Sequence, residues 1–256
     1  YDFENVKAGL MQIAFGLFKK VVIADRLAIV ADYAYANPYD HNGLSLLVAT
    51  IFFSFQIYCD FSGYSDIAIG TGRVMGFTLM ENFKNPYEAT SINDFWSRWH
   101  ISLSTWFKDY IYIPLGGNRK GEIRRQFNLF TIFFISGIWH GASWNYVIWG
   151  AMHGFYRVTG GLKDKWLAKN NIVLPKTGLM RLVNTVITFT LVMFAWVFFR
   201  NDKAPVQQGF DIIHSILTLN WSDPLQTPLN SIEMWFCVAL ILFLLVKEHY
   251  YLKIPT

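Results

Sequence analysis

Apolar residues in this chain run in long blocks separated by short clusters of charge. Three blocks, residues 44–69, 182–199 and 232–246, approach or exceed the length of a membrane-crossing helix, since about 20 apolar residues span a hydrocarbon layer roughly 30 Å thick. A fourth, residues 127–156, is apolar but contains Gly137, Gly141, Gly150 and Gly154 and is too long for one simple crossing. It is preceded by Arg119, Lys120, Arg124 and Arg125 and followed by Arg157, Lys163, Lys165, Lys169, Lys176 and Arg181. Positive charge collects on the cytoplasmic side of membrane segments. Both flanks therefore read as cytoplasmic, and residues 127–156 are predicted to form a broken or re-entrant helical pair.

The loop from Phe199 to Ser231 carries Asp202, Asp211 and Asp223 against Arg200 and Lys203 and is expected on the opposite side, with the last block returning to Lys247 and Lys253. Residues 8–31 are apolar but hold Lys19, Lys20, Asp25 and Arg26 near their middle. Charge is costly against lipid, so this segment is expected at the interface or packed inside. From residue 93 to 113, Phe95, Trp99, Leu103, Trp106 and Tyr110 recur at steps of three and four, which predicts one amphipathic helix with a narrow aromatic stripe. Arg98, Ser102, Thr105 and Asp109 form its polar back, and Ser91 followed by Asp94 marks a start.

Composition agrees with a lipid environment. The 256 residues are 53% hydrophobic, 18% aromatic and only 16% charged, against about 25% charged in soluble domains. The net charge of +4 lies in clusters between apolar blocks, a topology signal that gives no indication of nucleic acid. Cys59 and Cys237 both fall inside apolar stretches, so free thiols are expected and no disulfide framework. Pro175 and Pro205 punctuate loops, and no repeat is visible, which predicts one membrane domain over residues 1–256. The chain opens at Tyr1 without a secretory leader and is expected to be a piece lacking upstream helices.

His140 stands in Ser136-Gly137-Ile138-Trp139-His140-Gly141-Ala142-Ser143-Trp144, within the apolar block 127–156. An ionisable group at membrane depth faces a partner or a cavity; it either bridges helices by hydrogen bonds or transfers protons. The glycines around it allow close approach of another helix or a substrate. His100, at the edge of the aromatic stripe beside Trp96 and Phe107, is either an interfacial histidine bonded to a neighbour or a second functional group. His153 lies thirteen residues beyond His140; one continuous helix would carry it about 140° away, off that face. Asp60 and Asp66 suggest either a polar cavity or ion pairs with Arg73 or Arg98. No Gly-x-Ser-x-Gly elbow, His-Glu-x-x-His motif or Walker loop occurs, so serine hydrolase, zinc protease and nucleotide phosphate-loop chemistry are unsupported.

Together, Cys59-Asp60-Phe61-Ser62-Gly63-Tyr64-Ser65-Asp66, Asn82-Phe83-Lys84-Asn85-Pro86-Tyr87, the run from Phe95-Trp96-Ser97-Arg98-Trp99-His100 through Ser104-Thr105-Trp106-Phe107, Tyr110-Ile111-Tyr112-Ile113-Pro114-Leu115-Gly116-Gly117-Asn118-Arg119 and Trp139-His140-Gly141 resemble the membrane-bound O-acyltransferases, especially their alginate O-acetyltransferase branch. The resemblance covers roughly residues 1–200. It implies an all-α, polytopic transmembrane helical bundle around a tunnel, with the catalytic histidine at His140 and a second active-site position at His100. Trp96, Trp99, Trp139 and Trp144 are then expected to wall off water, with Ser104 and Asp60 as further tunnel-lining candidates. It also implies acetyl-coenzyme A as a donor substrate, no tightly bound cofactor and no metal. The acceptor would be an exported polysaccharide, served by periplasmic acetyltransferase partners, with the protein multi-pass in the bacterial cytoplasmic membrane and no nucleic acid involved. D-alanyl transfer to teichoic acid is the alternative within the family. A proton-coupled transporter using His140, Asp60 and Asp66 is the alternative outside it.

Overall fold

The computed structural model describes residues 2–172, 175 and 177–251, and the regular elements among them are all helical. Lys176 and Lys253, used above as topology signals, lie outside the described residues. In chain order the helices are α1 (Phe3–Leu17), α2 (Asp25–Ala36), α3 (Gly43–Val74), α4 (Ile92–Arg98), α5 (Ile101–Phe107), α6 (Glu122–His140), α7 (Trp144–Lys169), α8 (Gly178–Arg200), α9 (Val206–Leu217) and α10 (Ser231–Tyr251). They fall into two compact units, residues 1–82 with 211–256, and residues 83–210. Of these helices α3 and α8 are long and apolar enough to cross a membrane. The helix expected over 232–246 is present as α10, but Glu233 near one end and Lys247 and Glu248 near the other interrupt its apolar surface.

In the first unit α1 continues through a π-helical turn, Phe18–Ala24, into α2, and this composite helix lies antiparallel to α3. Glycine permits the approach: a Cβ on Gly9 would stand 2.6 Å from the Gly70 carbonyl oxygen, and one on Gly16 equally close to that of Gly63. The segment expected at the interface or inside is inside, with Ile23 and Leu27 fully buried. Its charges are paired there. Lys19, 4% exposed, meets Asp66 at 2.5 Å and donates to Ser62 at 2.9 Å, while Lys20 pairs with Asp60. Asp60 and Asp66 are thus ion-paired, but with lysines of the π turn instead of Arg73 or Arg98. The wider π turn presents two successive lysines to successive turns of α3.

In the second unit the apolar block 127–156 is a helical hairpin. α6 ends at His140, Gly141 breaks the chain at φ +152°, and Ser143 caps α7, its hydroxyl accepting from the Asn145 amide. A side chain at Gly141 would be strained in that region. Gly137 and Gly150 bring the arms into backbone contact, since a Cβ on Gly137 would lie 2.4 Å from the Tyr146 carbonyl oxygen and one on Gly150 2.3 Å from that of Phe133. Asn145 then ties the start of α7 to the end of α8, donating to the carbonyls of Asn201 and Ala204 at 2.7 Å. α8 leaves Leu182, Val183, Val186 and Ile187 exposed, an apolar face of the kind that meets lipid. Both cysteines are free and buried.

Candidate active site

The aromatic segment does not form the single helix its periodicity predicts. Ser91 starts α4 as expected, accepting from the Asp94 amide at 3.1 Å, but the helix stops at Arg98 and Trp99 is extended. His100 follows in the left-handed conformation, φ +45°, which costs a non-glycine residue on the order of 1–3 kcal/mol. Its carbonyl accepts from the Ser104 amide at 3.0 Å to begin α5, and its Nδ1 meets the Ser102 hydroxyl at 3.3 Å. The break rotates the second half. Phe95 and Trp99 are buried, but Trp106 and Tyr110 are exposed and Phe107 takes the inner position; a further π-helical turn, Lys108–Tyr112, follows.

His140 closes α6. Its half-buried ring is surrounded by Trp139 at 5.0 Å, Trp149 at 5.0 Å, Phe199 at 5.0 Å and Tyr146 at 5.9 Å between centroids. His100 lies within electrostatic range of it. Two histidines from separate parts of the chain, each at a helix break, therefore share one neighbourhood. Backbone breaks free the polar groups of neighbouring turns and aim side chains away from a helical register.

A cavity of about 590 Å³ lies in the same unit; neither histidine is among its lining residues, but Ser104, one turn after His100, and Ser136, one turn before His140, both are. Its lining includes Trp96, Ser104, Phe107, Phe133 and Ser136 together with Lys108, Arg125 and Arg157. The Ser104 hydroxyl donates to the Trp96 carbonyl at 3.4 Å. The lining therefore combines apolar rings, hydroxyls and three cationic side chains, a set suited to an elongated ligand with an anionic end. Before the apolar stretch begins, Glu122 joins Lys165 and Arg125. Hydrogen bonds from Lys165 and Gln126 hold its carboxyl below the usual carboxylate range.

The remaining expected site residues divide. Trp96 lines the cavity, whereas Trp99 is packed in the core against Phe95 at 5.6 Å and Trp196 at 5.1 Å. Trp139 and Trp144 are 59% and 74% exposed; the rings that enclose His140 on the other sides are Trp149, Tyr146 and Phe199. Asp60 belongs to the first unit, where Lys20 neutralises it. His153, expected off the His140 face, is fully buried, and its ring is 5.0 Å from that of Trp149, which itself is 5.0 Å from His140.

Regular elements that are all helical among the described residues, two helices long and apolar enough to cross a membrane, and two histidines at helix breaks fit an integral membrane protein. The chain matches the membrane-bound O-acyltransferase family over residues 1–201, and it belongs to that family. It is similar to a probable alginate O-acetylase of Pseudomonas putida, 45% identical over 208 residues, which covers 80% of this chain and 41% of that protein. A peptidoglycan O-acetyltransferase of Helicobacter pylori is 42% identical over 219 residues, 86% of this chain and 40% of that protein. A teichoic acid D-alanyltransferase of Bacillus subtilis is 33% identical over 154 residues, 57% of this chain and 39% of that protein. The chain spans about two fifths of the length of these relatives.

Proposed function

We propose that the protein is a multi-pass O-acyltransferase of the bacterial cytoplasmic membrane that moves an acetyl group from an intracellular thioester toward hydroxyls of an exported polysaccharide. The observation that carries this reading is the placing of His140 and His100 at two helix breaks, one turn from Ser136 and Ser104 in the lining of one cavity. The relatives of highest identity named above include two whose names describe acetylation of different glycans, so transfer of acetyl to a sugar hydroxyl is the property assigned.

In this reading His140 accepts the proton of the attacking hydroxyl. An imidazole of ordinary pKa, about 6.5, is largely neutral at pH 7 and suited to that step. The hydroxyl oxygen bonds to the thioester carbonyl carbon, the C–S bond breaks, and the sulfur leaves with the proton that His140 took up. His100 positions donor or acceptor. Acetyl-coenzyme A is the expected donor, held as a substrate, with its phosphates at Lys108, Arg125 and Arg157, where guanidinium groups make charge-assisted bonds. Trp96 and Phe133 along the cavity keep water from the thioester. Extracytoplasmic acetyltransferase partners complete delivery to the polysaccharide.

D-alanyl transfer remains the second reading, supported by the similarity to the Bacillus subtilis enzyme. A proton path is not needed to explain Asp60 and Asp66, whose charges are satisfied by Lys20 and Lys19. The test is the ester content and acyl identity of surface polysaccharide in cells with the full-length protein, with a deletion, and with His140→Ala. Acetyl esters should appear only with intact His140; D-alanyl esters would select the second reading, and equal acetyl content in all three strains would refute both.

A further inference from the structure

We propose that His153 is a positioning residue for acyl transfer, acting through Trp96 to hold the strained His100 segment against α7; the inference rests on the functional reading above. His153 is fully buried, and the Trp96 indole Nε1–H donates to its Nδ1 at 3.2 Å. An indole nitrogen only donates, so Nδ1 is the acceptor and the ring carries its proton on Nε2. That Nε2–H has no hydrogen-bond partner among the described residues. A buried unpaired donor is costly, and an apolar side chain of similar size would avoid the cost. What the histidine supplies in exchange is the acceptor for Trp96.

The consequence runs along the chain from Trp96 to Ser104. The Trp96 carbonyl accepts from the Ser104 hydroxyl at 3.4 Å, and the His100 carbonyl accepts from the Ser104 amide at 3.0 Å. Between them lies the left-handed residue His100. A strained conformation persists only where its surroundings over-determine it, and α4 is too short to supply this alone. The indole bond anchors the N-terminal side of the break to α7. Trp149, one turn earlier on α7, is in contact with both His153 and His140. One turn of α7 thus sets both the segment that bears His100 and one wall around His140, and His153 is the group in it that makes the specific polar contact.

The test uses acetyl transfer by the full-length protein in membranes, with protein level measured in parallel. His153→Leu and Trp96→Phe should each lower kcat by on the order of 10- to 100-fold, as a misplacement of about 1 Å does. The double variant should fall no further, because both changes break the same contact. His153→Asn, whose side-chain oxygen can take the place of Nδ1, should recover most of the rate. Parent-like kcat in Trp96→Phe, losses that multiply in the double variant, or no recovery with Asn would each overturn the proposal. Should His153→Leu fail to accumulate, Trp96→Phe and Trp96→Phe/His153→Asn decide; they should be equal, and a further loss in the second would count against it. His140→Ala run alongside separates the two levels. If it transfers acetyl at the parent rate the functional reading fails, whereas its inactivity combined with parent-like Trp96→Phe removes only the role of His153.

Discussion

His100 combines two roles that substitution can separate, since its backbone is left-handed and its ring is within electrostatic range of His140. Glycine adopts that conformation freely, and alanine does not. His100→Gly should therefore retain or raise the thermal stability of the purified protein relative to His100→Ala, while both lose transfer. Activity in His100→Gly near that of the parent would show that the bend matters and the imidazole does not. At His140, replacement by Ala should cut transfer by about 10²–10⁴-fold, the range for a positioned general base, with unchanged protein level; loss of the protein itself would return the residue to a helix-bridging role.

At the scale of elements, the spans were legible where lipid dictates composition. The blocks at 44–69 and 182–199 became α3 and α8, because an unbroken apolar run has few alternatives to a helix. The hairpin at 127–156 was legible from four glycines and from charge on both flanks. The break at His100 was not. Phe95, Trp99, Leu103, Trp106 and Tyr110 keep helical spacing straight through it, and a left-handed residue leaves no mark on apolar periodicity. α9 was also missed; it is a short helix within a loop judged by its charge alone. Among the expected tunnel-lining residues, Trp99 packs in the core against Phe95 and Trp196, because an aromatic stripe position at helical spacing does not tell a cavity wall from a core contact.

Hairpin contact makes a prediction at this scale. Gly137→Leu must push α6 from α7, because even a Cβ meets the Tyr146 carbonyl at 2.4 Å. Overpacking of this kind costs about 1–3 kcal/mol, so the variant should melt earlier and lose transfer together, whereas Gly160→Ala, on α7 in open space, should change neither. The base of the hairpin adds a pH dependence. The Glu122 carboxyl is held below its ordinary value by Lys165 and Gln126. Its stabilising contribution is present above the unfolded carboxylate pKa and is lost as pH falls through the lowered folded value. Glu122→Gln should accordingly narrow the stability difference between neutral and acidic pH measured by thermal unfolding.

For the whole molecule, the broken hairpin predicts that both its flanks lie on one side of the bilayer. Lys120→Cys and Lys165→Cys should react with an impermeant thiol reagent from the same side; labelling from opposite faces would make residues 122–169 a crossing. The cationic residues of the cavity lining should meet the donor. Arg157→Leu should raise the KM for acetyl-coenzyme A by on the order of 10–100-fold, the equivalent of one charge-assisted hydrogen bond, with little change in kcat.

The most direct test of the central claim is the rate of labelled acetyl transfer from acetyl-coenzyme A to a sugar hydroxyl in membrane vesicles containing the full-length protein, its extracytoplasmic partners and its exported glycan, comparing the parent with His140→Ala at matched protein level. The account predicts transfer by the parent and a rate near background for His140→Ala. Equal transfer by the two proteins would contradict it.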